Sequence, residues 1–165
     1  MYEKVRPKRP EKKRSTRLWV CLVLAVLLLV AVIIPITWAS WYQQRYYSFI
    51  SDLSDSTVYA YRHVSLRTTW LGRPAVVTAT GTYGPYRVLS GVGKGKPAAP
   101  PSRDPDVHLD FGDGSTLSFW QIGGEDADPN DSEGLLVHYV NQLGDTFTYT
   151  TEKATLNGLS FALFP

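Results

Sequence analysis

The chain has 165 residues, with 17 Lys and Arg against 15 Asp and Glu, a net charge of +2 and one cysteine. That length holds one modest domain beside a short accessory segment, and one cysteine excludes a disulfide framework. The small net charge conceals a split: residues 1–17 carry eight basic and two acidic side chains, and the remainder carries nine basic and thirteen acidic.

Residues 1–17 hold Lys4, Arg6, Lys8, Arg9, Lys12, Lys13, Arg14 and Arg17 with two prolines and few apolar residues. Such a composition predicts a disordered basic tail. Beside a membrane it is drawn to anionic lipid by about 1 kcal/mol per Lys or Arg.

Leu18 to Thr37, LWVCLVLAVLLLVAVIIPIT, is a run of twenty residues without a charge. At about 1.5 Å of rise per residue, a helix of that length reaches the roughly 30 Å of a bilayer's hydrocarbon core. A helix also satisfies its own backbone hydrogen bonds in lipid. The sequence therefore predicts a transmembrane helix over 18–38. Eight basic residues precede it, whereas only Arg45 lies between Ala39 and Leu53, so the N-terminus is expected in the cytoplasm and the C-terminal part outside the cell membrane. Trp19 at one end, and Trp38, Trp41 and Tyr42 at the other, fit the two interfacial aromatic belts. A cleaved signal peptide is the rival. Its apolar core is normally 7–15 residues, and bulky Trp38 and Trp41 suit a cleavage site poorly, so the run reads as an uncleaved signal anchor. Cys21 lies inside it as a small apolar residue.

Tyr42, Tyr46, Phe49 and Leu53 share one helical face, which predicts a helical extension and linker over 39–55, broken at Ser54-Asp55-Ser56. Residues 56–165 then read as a small α+β extracytoplasmic domain: an antiparallel sheet of four to six strands with one or two helices. Alternation at Val58, Ala60, Arg62 and Val64 predicts a strand. Leu71 to Pro74 reads as a turn, and Ala75 to Thr80 as the next strand. Gly84-Pro85 opens a short helix with Val88, Leu89 and Val92 inward, although a strand also fits. Gly93 to Asp106 has four prolines and reads as an exposed loop.

Residues 107–122 predict a hairpin. A three-residue turn at Gly112-Asp113-Gly114 pairs Leu109 with Leu117 and Val107 with Phe119. This register gathers Val107, Leu109, Phe111, Leu117 and Phe119 on one face and leaves His108, Asp110, Thr116, Ser118 and Trp120 on the other. A second hairpin joins Leu135–Asn141 to Thr146–Thr151. Leu156, Leu159 and Leu163 fit a final helix, interrupted at Asn157-Gly158.

Candidate chemistry is sparse. His108, Asp110 and Trp120 on one wet sheet face make a speculative ligand groove. Asp126, Asp128 and Asn130 have the opening spacing of a calcium loop, but Asp131 stands where that loop needs Gly and Val137 where it needs Glu. His63, His108 and His138 sit mid-strand with no close pair for zinc. No GxSxG, HExxH or SxxK pattern occurs. The expectation is a single-pass membrane protein with an external binding or sensing domain and no cofactor. Its partners are the lipid bilayer and an envelope protein or polymer, with no nucleic acid. The alternatives are a structural subunit that assembles a complex through its helix, and an envelope enzyme without a short motif.

Overall fold

In the computed structural model of the protein, the described residues are 12–123 and 134–165, with side chains described from residue 18 onward. The chain divides into two compact units, residues 1–42 and 43–165. One helix, α1 (Lys12–His63), contributes to both.

In the first unit every residue from Leu18 to Trp41 is exposed. This part of α1 is long and apolar enough to cross a membrane. Pro35 lies within it. The Thr37 hydroxyl donates back to the carbonyls of Ile33 at 3.0 Å and Ile34 at 2.9 Å, so the apolar run carries no loose polar side chain there. Trp38 and Tyr42 stack one turn apart, with ring centroids at 5.7 Å.

In the second unit α1 continues to His63, which corrects the strand expected at Val58–Val64. Tyr46, Phe49, Leu53, Ser56, Thr57 and Ala60 are buried, a helical spacing that runs through the supposed break. Ser54 and Asp55 point outward. Thr57 donates to the Leu53 carbonyl at 2.7 Å, and Ser56 finds buried partners, so the polar cluster does not end the helix. His63 is thus the last helical residue and not a strand residue.

Seven strands follow: β1 (Arg67–Trp70), β2 (Arg73–Ala75), β3 (Lys96–Pro97), β4 (Val107–Asp110), β5 (Thr116–Gln121), β6 (Leu135–Val140) and β7 (Thr146–Thr151). They form one antiparallel sheet in the order β2-β1-β4-β5-β6-β7-β3. Two helices, α2 (Gly84–Val92) and α3 (Leu156–Leu163), and a 3-10 turn at Gly81–Tyr83 complete the α+β unit. The sheet exceeds the expected four to six strands because both edge strands are two or three residues long and show no alternation. Each carries a proline, Pro74 and Pro97, which withholds a donor from any strand that might add to the edge. The strand expected over Ala75–Thr80 reduces to its first residue.

The first hairpin has the expected register, and the second forms between the expected segments. Val107 faces Phe119 and Leu109 faces Leu117, and Leu135–Val140 pairs with Thr146–Thr151. Gly114 takes the left-handed conformation the three-residue turn requires, with φ +94°. The core face of the sheet, from Val107 and Leu109 to Tyr139 and Tyr149, is buried. Phe49 of α1 packs on it, with ring centroids 5.2 Å from Tyr139, 5.3 Å from Phe147 and 5.7 Å from Tyr149.

α2 forms where Gly84-Pro85 predicts it, with Leu89 buried and Val88 and Val92 half-buried. The Tyr46 hydroxyl donates to the Leu89 carbonyl at 3.1 Å and joins α2 to α1. α3 forms with Leu156, Leu159 and Leu163 buried. Gly158 does not interrupt it, because its N–H is accepted by the Thr155 side chain at 3.1 Å in an N-cap. Gly81 has no room for a side chain: a Cβ there would overlap the Leu163 carbonyl.

α1 ends on Val64, a β-branched residue at φ +52°, a place usually taken by glycine. The Ser65 N–H closes the end on the Ala60 carbonyl at 3.1 Å. Val64→Gly should raise stability by about 1 kcal/mol, since the side chain is exposed and only its backbone cost is removed. Phe49→Ala should lower stability by about 3–5 kcal/mol. Both are read from chemical denaturation of the chain in detergent micelles.

Candidate functional site

The face opposite the core is organised by register. His108 faces Ser118, Ser118 faces His138, and His138 faces Thr148. One polar row therefore crosses four strands. His108 Nδ1 and Ser118 Oγ share a hydrogen bond of 2.9 Å, and His138 Nδ1 and Thr148 Oγ1 share one of 2.6 Å. Trp120 lies diagonally beside the row, its ring centroid 6.3 Å from that of His138.

A strap of residues 98–106 crosses this face. It leaves β3 with Ala98 N–H donating to the Thr148 carbonyl and reaches β4 with Asp106 N–H donating to the Phe119 carbonyl. Midway, Trp120 Nε1 donates to the Arg103 carbonyl at 3.1 Å. Arg103 makes a two-pronged ion pair with Asp106 at 2.8 and 3.0 Å. Asp106 also accepts the Gln121 N–H at 2.7 Å. The Pro-rich segment is the largely exposed loop its composition predicts, pinned to the sheet at Ala98, Arg103 and Asp106.

His108, Asp110 and Trp120, the residues of the expected groove, are placed by the same register. All three occupy the same face, but Trp120 is only 6% exposed. Its ring packs under the strap, where the indole N–H finds the Arg103 carbonyl. Ser118 is as buried as Trp120 and lies between two imidazoles. The His108–Ser118 contact has the spacing of a nucleophile and its base, yet among the described residues no carboxylate orients the imidazole, and the hydroxyl is covered. The row acts as cross-strand structure.

Sequence reasoning missed a second polar cluster under α1. Ser115 N–H and Oγ both bond to Asp113 Oδ1, at 2.9 and 2.5 Å. Ser115 Oγ also lies 2.8 Å from Ser56 Oγ, which lies 3.3 Å from the Tyr139 hydroxyl. A hydroxyl has one proton, and an ionised carboxylate only accepts. The Ser115 hydroxyl proton is therefore shared between Asp113 Oδ1 and Ser56 Oγ, and the hydrogen-bonded chain continues from Ser56 to Tyr139. Burial raises the Asp113 carboxyl, but the bonds from Ser115 and Gln142 outweigh it and hold the group below its usual range. Burial pushes the Tyr139 hydroxyl up. The cluster ties α1 to both hairpin turns. No periodicity points to it, because its members are 59 and 83 residues apart in sequence from Ser56.

Among the described residues no group of three or more His, Cys, Asp or Glu comes together to hold a metal ion. The partial calcium pattern at Asp126, Asp128 and Asn130 lies outside the described residues.

Burial lowers the pKa of His138. A depressed imidazole binds fewer protons folded than unfolded, so its contribution to stability is full above the unfolded value of about 6.5 and is lost as pH falls towards the lower folded value. The melting midpoint should therefore fall between pH 7.5 and 5, and His138→Gln should flatten that part of the profile. Comparison of the chain with family models, with curated proteins and with solved structures finds no match.

Proposed function

We propose that the chain is a single-pass membrane protein, with a cytoplasmic N-terminus, that holds a small binding or sensing domain outside the cell membrane. The observation that carries this reading is the apolar stretch of α1. From Leu18 to Ile36 its large side chains stand 43 to 71% exposed. A soluble chain does not leave such a length of Leu, Val and Ile in water, and lipid is the medium that buries it. The basic side chains before the run and their scarcity after it support the orientation. Binding, more than catalysis, is supported by the folded unit: the buried hydroxyls of Ser56, Ser115 and Ser118 are engaged in cross-strand and helix-to-turn bonds that hold structure.

The test is topological. In a Cys21→Ala background, a cysteine introduced at exposed Leu143 should react in intact cells with a maleimide that does not cross membranes. A cysteine introduced at Val5 should react only after permeabilisation. Both products should stay with the membrane through alkaline extraction. Reversed labelling would overturn the orientation, and release at high pH would overturn the anchor.

A further inference from the structure

We propose that the groove between the end of α1 and the β4–β5 turn binds the zwitterion of a small α-amino acid, with Arg67 taking its carboxylate and Asp110 its ammonium. The inference deepens the reading of residues 43–165 as a binding domain and rests on it.

Arg67 and Asp110 face each other directly across β1 and β4, on the open side of the sheet. Side chains so placed start about 5 Å apart at Cβ, and opposite charges at that spacing ordinarily close on one another. Here they do not. Asp110 Oδ1 turns back to accept the Gly112 N–H at 2.9 Å. Arg67 is exposed, and its side chain makes no ion pair or hydrogen bond among the described residues. The Arg67 guanidinium and the second Asp110 carboxylate oxygen are left uncommitted among the described residues, and both residues line one open surface groove of about 520 Å³.

The walls are braced. Ser65 Oγ donates to the Phe111 carbonyl at 2.6 Å and fastens the end of α1 to the hairpin. Val64, 92% exposed and held in the left-handed region, stands at the lip. Strain of that kind in an exposed β-branched residue is typical of a position kept for what it presents. Gly112 and Gly114 line the opposite side without side chains.

The charge pattern selects the ligand. A lone anion is drawn to Arg67 and repelled by Asp110, and a lone cation meets the reverse. A molecule with both signs on neighbouring atoms pairs each, and the two-donor fork of the guanidinium matches a carboxylate.

Calorimetric titration of the full chain in detergent micelles tests the site, with glycine and L-alanine as probes. Both should bind. N-acetylglycine and glycinamide, each lacking one charge, should bind at least about tenfold more weakly, as expected for one lost charge-assisted bond. Arg67→Gln and Asp110→Asn should each weaken glycine by a similar factor. Asn keeps the acceptor for Gly112, so the turn and the melting midpoint should hold. The double exchange R67E/D110R should recover part of the affinity with the ligand reversed. No heat from either amino acid up to about 10 mM, equal binding by the blocked derivatives, or indifference to both single substitutions would overturn the proposal. The labelling experiment reads the membrane topology separately, so the two failures are distinguishable.

Discussion

Phe49 occupies the centre of the folded unit. Its ring touches Tyr139, Phe147 and Tyr149, and Tyr46 on the preceding turn reaches Phe147 and Tyr149 at 6.4 and 6.0 Å. A seven-stranded antiparallel sheet needs a cover for one face, and here a large part of that cover is the lower half of the same helix that begins as an apolar rod. Remove this aromatic contact and the inner faces of β6 and β7 meet water. The hydroxyl of Tyr46 then extends the contact to α2 through Leu89.

Polar groups beneath and beside that contact are satisfied locally. The chain from Tyr139 to Asp113 lets a helix rich in Ser and Thr lie on an apolar surface without stranding its hydroxyls. On the opposite face the histidines bond sideways to Ser118 and Thr148, and the strap seals Trp120. Such an arrangement uses polar residues to set register between strands more than to present them outward. The exceptions are Arg67 and Asp110, opposite charges in register that do not close on one another.

The hairpins were legible because alternation has a period of two and one register sorts the faces cleanly. Gly112-Asp113-Gly114 then allowed one turn length that fits. The final helix was legible from Leu156, Leu159 and Leu163, whereas the Thr155 cap that accommodates Gly158 carries no signal in that spacing. The stretch Val58–Val64 misled because its apolar residues also alternate. Ala60 is buried on the helical count while Tyr59 and Tyr61 point outward, an assignment that depends on which surface the helix meets. The edge strands β2 and β3 are too short for any pattern to mark them.

Of the candidate site, the shared face of His108, Asp110 and Trp120 followed from register within one hairpin. The fate of Trp120 did not, because the strap that covers it starts beyond β7 in space while lying before β4 in sequence.

Composition and local order by themselves determined the apolar run, the charge asymmetry around it, the two hairpins and the α+β class, since each depends on residues close in sequence. Tertiary structure alone decided where α1 ends, which polar groups are consumed in the interior, and which charges stay uncommitted. Those outcomes depend on contacts such as Ser56 with Ser115, Trp120 with Arg103 and Arg67 beside Asp110, where chain closure brings distant residues together and no local period records it.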